Sequence, residues 1–142
     1  MLTLYFSPGS SSMAVHIALN EIGVDFERRH VSFEKREQYS PEYLAINPEG
    51  KVPTLLIDGR PLTEVAGCLY YLAKRYPEAG LWPEESVEAE AQAISWMSFI
   101  ASTIHRTRAT VRGLLTQGVA GWFVIRSRGR REYSTDGQAR TT

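Results

Sequence analysis

A proline set directly before an apolar, β-branched run constrains this chain more than any other feature. Val52-Pro53-Thr54-Leu55-Leu56-Ile57 reads as a buried strand, and Asp58-Gly59 after it as a two-residue hairpin turn whose return strand carries Leu62. Proline has no N–H to give to a sheet ladder, so Pro53 belongs at the first residue of its strand. There it either opens an edge strand or leaves nearby backbone open to a partner other than a strand of the sheet. A cis Val52-Pro53 bond would mark a deliberate turn.

The segments around this hairpin have equally local signals. Leu2 to Phe6 predicts a first strand, and Ser7-Pro8-Gly9-Ser10-Ser11-Ser12 a loop that ends in several helix caps. Val15, Ala18, Leu19 and Ile22 recur at helical spacing, with Gly23 placed to end that helix in a left-handed conformation. Alternation over Phe26 to Phe33 predicts a second strand, and Tyr39 to Ile46 a short helix opened by Ser40 and Pro41. After the hairpin, Val65, Cys68, Leu69, Leu72, Ala73 and Tyr76 trace an amphipathic helix that starts at Glu64 and stops before Pro77. Leu81-Trp82-Pro83 reads as a linker. A long helix follows over Glu84 to His105, with Val87, Ala91, Ile94, Met97 and Ala101 or Ile104 on one stripe.

The order is thus βαβ, then ββα, then helix. Right-handed crossovers fold the first six elements into a small mixed sheet flanked by helices. The predicted class is α/β: a thioredoxin-like N-terminal domain over residues 1–77, a linker over 78–84, and over 85–105 the first helix of an all-α domain. In such a fold the end of the first strand, the start of the first helix, Pro53 and the start of the third helix meet at one edge, where open α/β sheets take ligands.

A chain of 142 residues is large enough to bury roughly two-thirds of its unfolded surface without staples. The single cysteine, Cys68, excludes an intrachain disulfide, and the start of the chain lacks the basic segment and apolar core of a secretion signal. No stretch approaches the ~20 apolar residues of a bilayer span. A cytoplasmic protein without a membrane partner is expected.

Four pieces in order and at suitable spacing resemble the glutathione transferase family, its bacterial beta-like members above all. They are Tyr5-Phe6-Ser7-Pro8-Gly9 before a serine-rich helix start; Asn47-Pro48-x-Gly50-x-Val52-Pro53; Leu62-Thr63-Glu64; and Ser95-Trp96-Met97-Ser98-Phe99-Ile100 leading to His105. The likeness covers about residues 1–105. It implies glutathione as co-substrate, with no metal, and a small electrophile as second substrate. By the resemblance, Val52 would pair its backbone with the cysteinyl part of glutathione, cis Pro53 would shape that turn, and Glu64 and Val65 would lie by the γ-glutamyl end, with Lys35 and Lys51 nearby. His105 would lie near the acceptor pocket. A family member of this kind also forms much of its dimer interface from the helical domain, so a homodimer is compatible with the resemblance.

The chemistry asked of such a site is modest. A thiol with a pKa near 8.5 becomes a good nucleophile at pH 7 only when its thiolate is favoured. Lowering that pKa by about two units corresponds to roughly 2.7 kcal/mol. One hydroxyl donor plus a helix N-terminus can supply it, and Ser10, Ser11 and Ser12 are the candidates. The cysteine of beta-like members falls on Ser11, which removes mixed-disulfide chemistry from that position. Val65 stands where the family carries a serine-like donor, a loss of one bond to a charged group. Cys68, on the apolar stripe of its helix, reads as a buried structural residue.

Net charge is zero, yet residues 1–105 hold 8 basic against 14 acidic side chains while residues 106–142 hold 8 arginines against Glu132 and Asp136. Helical periodicity fails after His105. This break is read as a shift of coding frame near residue 105, which leaves 106–142 an atypical arginine-rich tail. The alternative is a basic arm for an anionic partner, but the tail contains no recognisable module and nucleic acid is not the expected partner. Two functional classes remain: a glutathione transferase that conjugates glutathione to small electrophiles, and a non-catalytic thioredoxin-like remnant that binds glutathione or another protein.

Overall fold

The computed structural model describes residues 1–83 and 86–105. The expectations for the arginine-rich tail lie outside the described residues. Strand β1 (Leu2–Phe6) is followed by helix α1 (Ser12–Ile22), strand β2 (Phe26–His30), a 3-10 turn (Glu37–Tyr39) and the short helix α2 (Pro41–Leu44). Strands β3 (Thr54–Ile57) and β4 (Arg60–Thr63) lead into helix α3 (Val65–Arg75), a 3-10 turn (Pro77–Ala79) and helix α4 (Val87–Phe99), which continues as a π-helical turn over Ile100–Ile104. The sheet order is β2-β1-β3-β4, with β1 parallel to β2 and the other neighbours antiparallel. This is the βαβ-ββα thioredoxin-like arrangement read from the element order.

Strand alternation sorts the sheet into two faces. Leu2, Leu4 and Leu55 point to the face covered by α1 and α3, where Val15, Leu19, Cys68 and Leu72 complete the core. Leu4, Val15, Leu19, Leu55, Cys68 and Leu72 have no exposed surface. The stops and turns follow local chemistry. Gly23 adopts φ 75 and caps α1 through its N–H to the Leu19 and Asn20 carbonyls. Asp58 and Gly59 both take positive φ, 50 and 81, the signature of a type I′ hairpin. The Ser40 hydroxyl accepts the Tyr43 N–H at 3.1 Å to open α2, with Pro41 in the first turn.

Three expectations are corrected. β3 begins at Thr54, one residue after Pro53, because the ladder needs donors that proline lacks. β2 ends at His30, although the Val31 N–H still reaches the Phe6 carbonyl at 2.8 Å before the chain turns inward. Trp82, between the elements as expected of a linker, is nonetheless anchored: it is 6% exposed and meets Tyr70 edge-to-face at 5.0 Å. The stripe expected on α4 is also displaced. Met97 and Ala93 pack on the core while Val87, Ala91 and Ile94 are exposed, because α4 docks on α3 through the line that carries Glu90, whose carboxylate meets Lys74 at 2.8 Å. No helix of the described residues is long and apolar enough to cross a membrane.

Candidate functional site

Sheet register brings the expected segments together. Tyr5 pairs with Thr54, and Thr54 with Thr63. One step beyond those pairs, β1 runs into the Ser7–Ser12 loop, β3 is preceded by Val52-Pro53, and β4 is followed by Glu64-Val65. Three segments far apart in sequence therefore meet at one end of the sheet, where β1 and β4 stop and β3 starts.

The serine loop separates the three candidate hydroxyls. Ser12 has no exposed surface; its hydroxyl takes the Ser7 N–H at 3.1 Å and lies 2.7 Å from the Ser10 hydroxyl. Ser10 donates to the Ser7 carbonyl at 2.7 Å and accepts the Ser12 N–H at 3.3 Å. Both are committed to the loop's own backbone. Ser11 sits at the N-cap of α1, half-buried, and makes no side-chain capping bond. Among the described residues its hydroxyl has no partner.

The Val52-Pro53 bond is cis, and both residues are buried. Neither the N–H nor the carbonyl of Val52 has a hydrogen-bond partner among the described residues. An unpaired backbone donor and acceptor on one residue is what an added, strand-like peptide needs. Across the hairpin end, Glu64 adopts φ 65 and ψ 130, and its side chain makes no capping bond. An ordinary helix-cap role is thereby excluded for it. A non-glycine residue held there costs about 1–3 kcal/mol, a strain characteristic of functional positions. Val65, Ala66 and Gly67 then present N–H groups without intrahelical partners, since the first bond of α3 runs from the Cys68 N–H to the Glu64 carbonyl.

The remaining expected residues are divided. Lys51 reaches Glu49 at 3.0 Å, and that carboxylate first, with Glu64 in addition, holds its ammonium above the usual lysine range. Val65 turns its side chain onto the hydrophobic core, leaving only its N–H for the site. Lys35 lies on an exposed turn, its N–H on the Ser32 hydroxyl at 3.3 Å. His105 follows the π-helical turn, half-buried, on the helical side of the molecule. Cys68 donates weakly to the Leu62 carbonyl at 3.5 Å, and burial pushes its thiol up to about 12. It is packing, not chemistry. Among the described residues no group of His, Cys, Asp and Glu is gathered to hold a metal ion.

Residues 1–74 match the family model described as the N-terminal domain of glutathione S-transferase. The chain belongs to the glutathione S-transferase family. Glutathione S-transferase GstA of Escherichia coli O157:H7 is 36% identical over 107 residues, 74% of this chain and 53% of that protein. Glutathione S-transferase GST-4.5 of Xanthomonas campestris is 35% identical over 106 residues, 75% of this chain and 51% of its own length. A solved glutathione transferase homologue from Sulfitobacter, with bound glutathione, shares 41% identity at a TM-score of 0.73, covering 89% of this chain and 63% of that one. The chain spans about half the length of the curated relatives it matches.

Within this domain, sequence reasoning missed Tyr43 and Thr54. Tyr43 is 5% exposed, Thr54 fully buried, and with Asn47 they bond around the Val52-Pro53 turn. Asn47 carried a signal as the start of a turn motif. Tyr43 only falls inside the short helix expected over Tyr39 to Ile46, and its hydroxyl's target is eight residues away.

Proposed function

We propose that this domain binds glutathione at the end of the sheet formed by Ser11, Val52-Pro53 and Glu64-Val65, favours its thiolate, and delivers it to a small electrophile. The unpaired N–H and carbonyl of Val52 carry this reading. They offer two backbone hydrogen bonds to an extended peptide, while the free N–H groups of α3 offer a carboxylate site and positive potential. Glutathione is a short peptide with carboxylates and a thiol, and fits all three elements. Ser11 completes them with a hydroxyl for the sulfur. A bond to a charged group is worth about 1.5–3 kcal/mol and a helix N-terminus about 0.3–1 kcal/mol. Together these match the roughly 2.7 kcal/mol that a two-unit fall in thiol pKa requires. Lys51 and Lys35 add basic charge for a carboxylate, and His105 belongs to the acceptor side. A cytoplasmic location and a homodimer are proposed with it, on the family resemblance alone.

One observation favours a second reading, a glutathione-binding module without turnover. Ile94, Trp96 and Phe99 on α4 are 53%, 48% and 45% exposed, so the helical wall that would hold an electrophile is open. Titration calorimetry with glutathione, paired with a conjugation assay on an electrophilic aryl halide, separates the two. Binding with turnover supports the transferase, binding alone supports the module, and absence of binding refutes both.

A further inference from the structure

Beneath the Val52-Pro53 turn lies a buried polar cluster of Tyr43, Asn47 and Thr54. Tyr43 has one hydroxyl proton, and its 2.5 Å contact with the Lys51 carbonyl uses it. The Thr54 hydroxyl then has two acceptors in reach, the Tyr43 oxygen at 3.0 Å and the Lys51 carbonyl at 3.5 Å. Thr54 in turn accepts one Asn47 side-chain N–H at 3.0 Å, and the other goes to the Lys51 carbonyl at 2.9 Å. The Asn47 side-chain oxygen takes the Glu49 N–H at 3.1 Å. Asn47, Tyr43 and Thr54 are 3%, 5% and 0% exposed, so the cluster is shielded from water. Buried and fully satisfied networks of this kind rigidify the backbone that they hold.

The two anchored groups, the Lys51 carbonyl and the Thr54 hydroxyl, stand on either side of Val52-Pro53. We propose that Tyr43 and Asn47 are positioning residues for glutathione: by holding Lys51 and Thr54 they keep the unpaired backbone of Val52 in place before the peptide arrives. The proposal rests on the glutathione reading above. Neither residue touches ligand, since both are buried and their polar atoms are committed. Tyr43 is itself held, by the Ser40 hydroxyl on its N–H and by the Tyr5 ring at 5.4 Å. Gly50 closes the turn from outside: a Cβ there would lie 2.9 Å from the Gln38 carbonyl.

The test uses the full chain. In Tyr43→Phe the ring remains and the hydroxyl is lost; in Asn47→Asp the acceptor remains and both donors are lost. The expected result is a glutathione Kd, and KM where turnover is measurable, raised about tenfold in each variant, with kcat at saturating glutathione and KM for the aryl halide within about twofold of wild type. The Thr54→Ser variant keeps the hydroxyl and is expected to bind as wild type does. In the free wild-type protein, backbone order parameters at residues 51–54 are expected near 0.85, about the value of rigid backbone. Mobility at Val52, with values below about 0.6, overturns the proposal even where the variants do not fold. Wild-type binding retained in both folded variants overturns the positioning role alone. Failure of the wild type to bind glutathione overturns the site itself and this role with it.

Discussion

Ser11→Ala and Ser12→Ala should part company, one altering chemistry and the other stability. Ser12 has no exposed surface, and its hydroxyl is the acceptor for the Ser7 N–H. Alanine leaves that buried N–H without a partner, at a cost of about 1–3 kcal/mol. Taking about 2 kcal/mol, and roughly 4–8 °C per kcal/mol for a domain of this size, Tm should fall by about 10 °C. Ser11 is half-buried and its hydroxyl bonds nothing among the described residues, so alanine should change stability by less than about 0.5 kcal/mol. Its effect should appear instead on bound glutathione. Loss of one bond to the thiolate, about 1.5–3 kcal/mol, raises the thiol pKa by about 1–2 units. Denaturant unfolding reads the first quantity and thiolate absorbance against pH, in the glutathione complex, reads the second. A Ser12→Ala protein as stable as wild type, or an unchanged thiol pKa in the Ser11→Ala complex, refutes this division of labour.

Gly50→Ala combines φ 63 with a Cβ 2.9 Å from the Gln38 carbonyl and 3.2 Å from the Tyr39 ring, and should lower the unfolding free energy by about 2–3 kcal/mol, measured by denaturant titration. Val65 packs its side chain on the core and offers the site only its N–H, so Val65→Ser should leave glutathione binding within about twofold by calorimetry and lower stability by about 1 kcal/mol. Cys68, with its thiol pushed up to about 12 from 9.0, should react with iodoacetamide about a thousandfold more slowly than an ordinary thiol in native protein, and at a normal rate in denaturant. His16, its ring tilted against Phe6 at 5.0 Å, has its pKa lowered by burial first and by Arg28 second. In the unfolded chain it binds a proton more readily than in the fold, so its contribution is present above about pH 6.5 and lost as pH falls through the lower folded value. The acid limb of the stability profile should therefore be flatter in His16→Phe, as measured by unfolding at pH 5 and 7.5.

Much of this fold is legible because its signals are short-range. Gly23, Asp58-Gly59 and Ser40-Pro41 each act within a few residues, through φ preference or a cap, and each does in the structure what its chemistry predicts. Signals that depend on a partner fare worse. The α4 stripe satisfies helical periodicity, yet docking through Glu90, Ala93 and Met97 buries a different line. Trp82 looks like linker because nothing near it in sequence shows the Tyr70 ring that it meets.

The candidate site divides along the same boundary. Residue types alone mark its ingredients: serines before a helix, a proline before a strand, a carboxylate after a hairpin. They mark these because turns, caps and missing N–H donors are properties of neighbouring residues. Which serine keeps a free hydroxyl, that Val52 keeps an unpaired backbone, and that Tyr43 reaches the carbonyl before it, are set by strand register and burial. A hydrogen bond between distant segments exists only once the sheet has brought them together, so these assignments belong to the folded chain.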